Sequence, residues 1–267
     1  MYGGRKGVGS QGGAPIAPDK AAGTNRLLKR IPDEELALVS SMADTVELRS
    51  RQVLHHWRLP MEHIYFICGG LVSVSAKVDE SRFVEAWLIG SEGMVGAPFV
   101  LAPDEASPPH RRVVQVGGTA LRISSAEFIS ALKDLPVLRE LILRYINLVL
   151  FQTSQCGACN SLHSVKQRLA RWLLMGMSAL DCNELPLTHA VLGQLLGIRR
   201  ASVSECLEAL ESHGMIQNVR AAIRIVDKAT LERTACSCYG LIQREYDRQI
   251  ARFGISPRSP AERISCD

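Results

Sequence analysis

The sequence predicts an α+β protein, in which an N-terminal antiparallel β domain precedes a long helix and a C-terminal winged helix-turn-helix. Hydrophobic residues alternate with a period of two across residues 45–123, and they recur at three- and four-residue steps after Pro136. Farther along, two short helical patterns flank Gly197. The chain has 267 residues, of which 46% are hydrophobic and 22% charged, so it is long and apolar enough for two compact domains.

The two ends of the chain and its most apolar stretch limit where the protein can reside. Residues 1–25 hold mostly small or polar side chains and are predicted to be a disordered tail, and residues 247–267 a flexible C-terminal tail. The apolar residues 141–151 are interrupted by Arg144 and Asn147 and are too short to cross a bilayer. The N-terminus lacks the apolar segment of a secretory signal. We therefore expect a cytoplasmic protein without a membrane partner, whose eight cysteines are reduced.

The N-terminal half opens with a short helix, because Pro32 is followed by three acidic residues that favour a helix N-terminus. The period then changes to two, which predicts strands. The clearest strand segments are residues 46–48, 64–67, 71–74, 83–89 and 113–116. The pairs Gly69-Gly70 and Gly117-Gly118 are candidate hairpin turns, and the proline-rich residues 102–110 an exposed loop. An antiparallel sandwich or barrel is the expected outcome.

A helix of about 24 residues is predicted after Pro136, with an apolar stripe that requires a partner surface. The stripe could pack on its own domain, but a seam with a second copy of the chain buries it more economically. Dimerisation is therefore assigned to the residues of this stripe: Leu138, Leu141, Ile142, Tyr145, Leu148, Val149 and Gln152. A second helix is predicted over residues 165–180.

Residues 186–213 have the spacing of a helix-turn-helix. Thr188 is a suitable N-cap for the first helix, and Gly197 ends it. After a short turn the second helix begins near Arg199 or Arg200, and its apolar positions repeat until His213-Gly214 stops it. Residues 215–218 and 223–226 then alternate around a turn at residues 220–222, as a two-stranded wing would. The alternative is an αα-hairpin in an ordinary core, but the wing and the basic start of the second helix favour DNA binding.

The start of the second helix is where a recognition helix meets base edges and phosphates in the major groove. The predicted DNA-binding residues are Thr188, Arg199, Arg200, Ser202, Ser204, Glu205 and Arg220. Further phosphate contacts are expected from Lys166, Arg168 and Arg171. Each of these charged residues could instead be a solvated surface charge.

The same stretches resemble the bacterial regulators named for the cyclic-AMP receptor protein and the FNR oxygen sensor, the Crp/Fnr family. The resemblance covers about residues 25–246, and it is most specific at residues 65–70, 92–96 and 159–175 and at the helix-turn-helix. It implies a cyclic-nucleotide-binding-like β-roll over residues 26–135, a dimerisation helix over 136–160 and a winged helix-turn-helix over 161–246. It further implies a sequence-specific transcription regulator that binds an inverted-repeat operator as a homodimer and has RNA polymerase as a partner.

Three departures from the family pattern bear on the effector and the operator. Met94 stands where cyclic-nucleotide-binding members have a ribose-binding glutamate, and His110-Arg111 lies near the position of their phosphate-binding arginine-serine pair. We therefore expect no cyclic AMP and no other cofactor. The N-terminal cysteine cluster of the oxygen sensors is absent, because the first cysteine is Cys68. In the second helix, Ala201 and Glu205 replace residues of the best-known members, so a different operator is expected.

The reactive side chains raise the possibility of other functions. Cys156 and Cys159 have the spacing of a redox or metal site, but two cysteines cannot complete a tetrahedral site. Cys236 and Cys238 could supply the remaining ligands only if the fold brought them near, so no metal is predicted. Oxidation of Cys206, on the second helix, is a hypothesis for redox-sensitive DNA binding.

Histidines and enzyme motifs give weaker signals. His55-His56 and His63 could ligate haem or a metal, but core or surface histidines are far commoner. The sequence has no nucleophile elbow, phosphate loop or paired zinc-ligand motif, so an enzyme is not expected. The remaining alternative is a small-molecule or redox sensor module whose DNA binding is secondary or lost.

Overall fold

The structure is a computed structural model that describes residues 24–80, 82–104 and 107–251, without the side chains of residues 250 and 251. Of the two predicted tails, residues 1–23 and 252–267 lie outside this part of the chain, whereas residues 247–251, predicted to begin the flexible C-terminal tail, are helical. The α-helices, in chain order, are α1 (Asp33–Met42), α2 (Ser125–Ala131), α3 (Pro136–Leu162), α4 (Val165–Leu180), α5 (His189–Leu196), α6 (Arg200–Ser212), α7 (Lys228–Thr234) and α8 (Ser237–Ala251).

The strands are β1 (Asp44–Leu48), β2 (Val53–His55), β3 (His63–Ile67), β4 (Leu71–Lys77), β5 (Phe83–Ile89), β6 (Met94–Val95), β7 (Arg111–Val116), β8 (Gly118–Ser124), β9 (Glu184–Leu185), β10 (Ile216–Val219) and β11 (Ala222–Ile225). Two four-stranded antiparallel sheets, ordered β1-β8-β3-β6 and β2-β7-β4-β5, form the N-terminal roll. Their inner faces share one hydrophobic core, in which Phe66 and Phe128 pack edge to face. The expected α+β class with an antiparallel β-roll is confirmed.

The two glycine pairs do not form the predicted hairpin turns. The chain instead crosses from one sheet to the other at these places: Gly70 lies between β3 and β4, and Gly118 is the first residue of β8, directly after the crossing from β7. A Cβ on Gly118 would lie 2.2 Å from the backbone oxygen of Gly69, and one on Gly70 would lie 2.6 Å from that of Val116. Glycine is required because the two crossings touch through their backbones.

Contacts distant in sequence fix both ends of the roll. The side chain of Asn25 is buried and donates to the carbonyl oxygens of Ile67 (2.7 Å) and Gly93 (3.0 Å), so Asn25 belongs to the roll and not to the predicted tail. The buried carboxylate of Glu35, on α1, accepts from the backbone nitrogens of Val137 (2.9 Å) and Leu138 (2.8 Å). It therefore caps the N-terminus of α3, where a negative charge also stabilises the helix dipole.

The predicted dimer seam on α3 is wrong for most of its residues. Four of them are at most 6% exposed and belong to the core of the same chain: Leu138, Leu141, Ile142 and Tyr145. Leu148 and Gln152 line cavities that also contain Tyr246 of α8, and Val149 packs partly on the core. The reason is that α3 packs on the core of its own roll, while α8, which the sequence patterns do not predict, packs against α3 near Leu148 and Gln152. The outward face of α3 includes Leu150, which is 62% exposed.

The C-terminal unit has its own core around Trp172 and Leu173 of α4. The indole nitrogen of Trp172 donates to the Oε1 atom of Glu85 in the roll at 2.8 Å, which joins the two units. Burial of this carboxyl group raises the pKa of Glu85 to about 8. Within the part of the chain that the structure describes, no helix is long and apolar enough to span a membrane.

Candidate nucleic-acid interface

Helices α5 and α6 form the predicted helix-turn-helix, with the boundaries that the sequence indicated. The hydroxyl of Thr188 accepts from the backbone nitrogen of Val191 at 3.3 Å and so caps α5, which ends at Gly197 in a left-handed conformation (φ 66°). The turn is tight, since the backbone nitrogen of Ile198 donates to the Gly193 oxygen at 2.9 Å. A Cβ on Gly193 would lie 3.0 Å from the Ile198 oxygen, which explains the small residue there.

Helix α6 has one buried and one exposed face. Val203, Leu207 and Leu210 are fully buried beneath it. Arg199 and Arg200, at its N-terminal end, are exposed, and so is Glu205 one turn later. A recognition helix enters the major groove in this way: its apolar face is packed on the domain, and the basic residues at its N-terminal end face the DNA. Ser202 is half-buried, whereas Thr188 is exposed at the start of α5.

A polar network connects α5, α6 and the wing. The Nδ1 atom of His189 lies 2.9 Å from the hydroxyl of Ser204, and its Nε2 atom lies 3.3 Å from Asn218 Oδ1. The backbone and side-chain nitrogens of Asn218 in turn donate to the carboxylate of Glu211 at 2.6 and 2.8 Å, which lowers the pKa of Glu211. The half-buried Ser204 is thus engaged within the protein, and its predicted DNA contact would compete with His189.

The wing is a three-stranded sheet in the order β10-β11-β9. Val219 pairs with Ala222, so the turn consists of Arg220 and Ala221, the latter at a φ of 61°. Arg220 is exposed at the tip of the wing. The third strand, β9, was missed because it has only two residues, and it precedes α5.

The basic residues of α4 do not all lie where phosphate contacts would require. Arg171 is only 4% exposed, and its guanidinium donates to the sulfur atoms of Cys156 (2.9 Å) and Met175 (3.2 Å), so its predicted phosphate contact is wrong. Arg168 is half-buried and donates to the backbone oxygen of Leu196 at 3.1 Å, so it stabilises the C-terminal end of α5. Lys166 is half-buried.

The cysteines singled out in the sequence have very different surroundings. Cys159, His163, Cys236 and Cys238 converge, with their ligand atoms all within 4.8 Å of one another. The fold thus brings near the two distant cysteines whose separation argued against a metal site. On α6, burial and the neighbouring Glu205 raise the pKa of Cys206, which disfavours the oxidation-prone thiolate.

The histidines of the roll serve its packing. The Nε2 atom of His55 donates to the Leu59 oxygen at 2.7 Å, while its Nδ1 atom accepts from the guanidinium of the buried Arg112 at 2.8 Å. Burial lowers the pKa of His55, which keeps the ring neutral. Burial also lowers the pKa of Arg112, to about 10.

Comparison with known proteins identifies the C-terminal unit. Residues 167–234 match the family model described as a Crp-like helix-turn-helix domain. That match includes α5, α6 and the wing, and the two-sheet roll and long helix complete the Crp/Fnr architecture. The C-terminal unit is a Crp-like helix-turn-helix domain, and the chain as a whole has the fold of solved Crp/Fnr regulators. No curated protein sequence matches it.

Solved structures share the fold of this chain at low sequence identity. FixK2 from Bradyrhizobium japonicum superposes with a TM-score of 0.62 at 15% identity, covering 73% of this chain and 98% of its own. A proposed Crp/Fnr regulator from Eubacterium rectale gives 0.57 at 18% identity, with coverages of 78% and 97%. A proposed cAMP-binding regulatory protein from Silicibacter pomeroyi gives 0.55 at 19% identity, with coverages of 82% and 98%.

Two residues that the family resemblance aligns with nucleotide-binding positions lie in packing contacts of the roll. Met94 is 1% exposed and belongs to the core of the roll. The guanidinium of Arg111 lies 5.5 Å from the centre of the Phe83 ring, in a cation-π contact.

Proposed function

We propose that this regulator binds an inverted-repeat operator as a homodimer and reads it with the N-terminal half of α6. The observation that carries the proposal is the two-faced structure of that helix. Val203 and Leu207 are buried beneath it, while Arg199 and Arg200 extend from its start without an ion pair to any described carboxylate. Free guanidinium groups at this place suit guanine edges and phosphates.

The contacts divide into base-reading and backbone-positioning groups. Arg199, Arg200 and Glu205 are the candidates for base contacts, since arginine pairs with guanine and glutamate accepts from cytosine. Thr188 and Ser202 would bind phosphates at the start of each helix, and Arg220 would do so from the wing tip. Ser204 would contact DNA only by releasing His189.

The dimer contact is proposed on the outward face of α3 and not on the buried stripe. A 27-residue helix is about 40 Å long, which is enough for an extended seam with a second copy. Leu150 is exposed on it, together with Asn147 and Ser154 one turn to either side. Two copies joined there would present their recognition helices about 34 Å apart, one turn of the duplex.

Selection from random duplex DNA tests the operator. A palindromic consensus is expected, and Arg200→Ala should weaken binding to it by roughly 1–3 kcal/mol if the side chain reads a base. Arg233→Ala is the matched control, because Arg233 is an exposed arginine on α7, outside the proposed interface. An equal loss on unrelated DNA would make Arg200 a phosphate ligand, and selection without any consensus would overturn the proposal.

Light scattering of the purified chain tests the dimer. Leu150→Glu should give monomers, whereas Leu101→Glu, at a similarly exposed leucine of the roll (60%), should not. A dimer that survives Leu150→Glu would place the contact elsewhere.

Two further proposals follow from the family. Cyclic AMP is not expected to bind, because Met94 cannot accept a hydroxyl hydrogen bond strongly, and thermal shift with cyclic AMP tests this. RNA polymerase is the expected protein partner at the promoter, which co-assembly on operator DNA would test.

A further inference from the structure

Four potential metal ligands meet where α3 ends and α8 begins. Cys159 lies in the last turn of α3, and His163 is the residue that ends this helix. Cys236 directly precedes α8, and Cys238 lies in its first turn. We propose that these four side chains, called here the Cys3His cluster, hold one structural Zn²⁺ ion.

The four ligand atoms, all within 4.8 Å of one another, lie near enough together to surround one zinc ion after small side-chain movements. Bonds of about 2.3 Å to sulfur and about 2.0 Å to nitrogen separate two sulfurs of a tetrahedron by roughly 3.8 Å and a sulfur from a nitrogen by roughly 3.5 Å. The sulfur atoms of Cys159 and Cys236 lie 3.3 Å apart, and the sulfur of Cys238 lies 3.6 Å from His163 Nδ1. The three cysteines are at most 4% exposed and His163 is half-buried, so four protein ligands are available, as in closed structural sites.

The buried Arg171 is an independent indication of negative charge. It forms no ion pair with any carboxylate in the described parts of the chain, and its hydrogen-bond partners are the sulfur atoms of Cys156 and Met175. The buried carboxyl group of Glu85 interacts with it electrostatically, but burial raises the pKa of this group to about 8. A buried cation needs a counter-charge, and neutral thiols do not supply one. Zn²⁺ with three thiolates and a neutral imidazole carries a net charge of about −1, which the guanidinium would balance. The Nε2 atom of Gln155 also donates to the sulfur of Cys238 at 3.2 Å, as an outer partner of a thiolate would.

Two other occupants explain less of this arrangement. A disulfide between Cys159 and Cys236 would leave the convergence of Cys238 and His163, and the charge of Arg171, without a role. An iron-sulfur cluster with four cysteine ligands would need Cys156, whose sulfur accepts from Arg171 and is not among the four converging atoms. Three thiolates and an imidazole in a compact, buried tetrahedron favour zinc.

A zinc ion at this site would fix the position of the DNA-binding unit relative to α3. His163 separates α3 from α4, because Ser164 is already the N-cap of α4. Cys236 and Cys238 come from the opposite end of the DNA-binding unit, with Cys236 lying 77 residues after Cys159. Zinc would therefore hold α8 onto α3 and restrict the angle at which α4 leaves the joint. Binding replaces three thiol protons, which are released to solvent.

Metal analysis of the full-length, tag-free chain, purified with a thiol reductant from zinc-supplemented medium, tests the proposal. We expect one zinc per chain by mass spectrometry. Cys159→Ser and Cys236→Ser should lose it, whereas the matched controls Cys156→Ser and Cys182→Ser should keep it. His163→Cys should retain zinc as a four-thiolate site, whereas His163→Ala should lose it or hold it weakly.

The outcomes are distinct and none depends on DNA binding. Chain isolated without zinc that also fails to take it up would overturn the proposal, as would iron with acid-labile sulfide or a Cys159–Cys236 disulfide in the reduced preparation. Loss of zinc from Cys156→Ser equal to that from Cys159→Ser would overturn the ligand set. Should the ligand variants not fold, Co²⁺ added to chelator-stripped wild-type chain decides: tetrahedral thiolate absorption at one equivalent supports the site, and its absence refutes it.

Discussion

The carboxyl group of Glu85 joins the β-roll to the DNA-binding unit through its hydrogen bond with Trp172. We expect the substitution Glu85→Gln to make this hydrogen bond independent of pH. Trp172 donates to the Oε1 atom of Glu85 at 2.8 Å, while its Oε2 atom is buried without a hydrogen-bond partner. Burial raises the pKa of the group to about 8, against the opposing effects of the Trp172 hydrogen bond and the positive charge of Arg171, so the carboxyl keeps its proton to a higher pH than an exposed glutamate does. Glutamine keeps the shape and the acceptor but cannot lose a proton.

The sign and size of the effect follow from proton linkage. The pKa of Glu85 rises from its ordinary value of 4.5 to about 8 in the folded chain, so the folded state binds this proton more tightly than the unfolded state does. Its contribution to stability is therefore complete below pH 4.5 and is lost as the pH rises to about 8. One such proton changes the free energy of unfolding by up to about 1.4 kcal/mol per pH unit across this window.

Urea unfolding followed by circular dichroism from pH 5 to pH 9 measures this slope. At pH 5 the free energy of unfolding of Glu85→Gln should match that of wild type within about 1 kcal/mol, since glutamine also accepts a hydrogen bond from the indole. It should become the more stable protein as the pH rises. Glu80→Gln, which removes the same charge at an exposed loop position, is the control and should leave the slope unchanged. Parallel pH profiles for wild type and Glu85→Gln would refute a buried, protonated carboxyl at this contact.

Two further substitutions test how the roll is held together. Gly118→Ala should destabilise the protein by about 3 kcal/mol, because its Cβ would lie 2.2 Å from the Gly69 oxygen, and an unchanged melting temperature would contradict this close approach. Asn25→Ala should cost about 2–3 kcal/mol in urea unfolding, because the carbonyls of Ile67 and Gly93 lose their donor. Asn183→Ala, at an exposed asparagine, is the control, and an equal cost for the two variants would show that Asn25 does not anchor the roll.

Local sequence patterns were sufficient to predict those elements whose structure is determined by a few neighbouring residues. Helix α4 begins with a capping box, in which Ser164 and Gln167 bond reciprocally, and its apolar face continues without interruption to Leu180. Gly197 ends α5 because it alone takes the left-handed conformation there without strain. These signals lie within four residues of the structure that they specify, so the helix-turn-helix could be predicted to within a residue.

Features that depend on a distant partner could not be predicted in this way. The glycine pairs have the composition of hairpin turns, and only the crossing of two sheets shows that they are corners. The carboxylate of Glu35 caps a helix that begins about a hundred residues later along the chain. The polar network of His189, Ser204 and Asn218 likewise joins three elements and has no local signature.

Residue type alone does not decide between surface and interior roles, and α3 and α4 show why. An apolar stripe specifies that a partner exists but not which one, and here the core and α8 cover most of it in the same chain. An arginine next to a helix-turn-helix suggests phosphate, yet Arg171 lies among sulfur atoms, 4% exposed. That position is informative because a buried guanidinium requires negative charge nearby. Burial raises the pKa values of Cys156, Cys159 and Cys236, so only the proposed zinc ion would turn cysteines at this joint into the thiolates that balance Arg171.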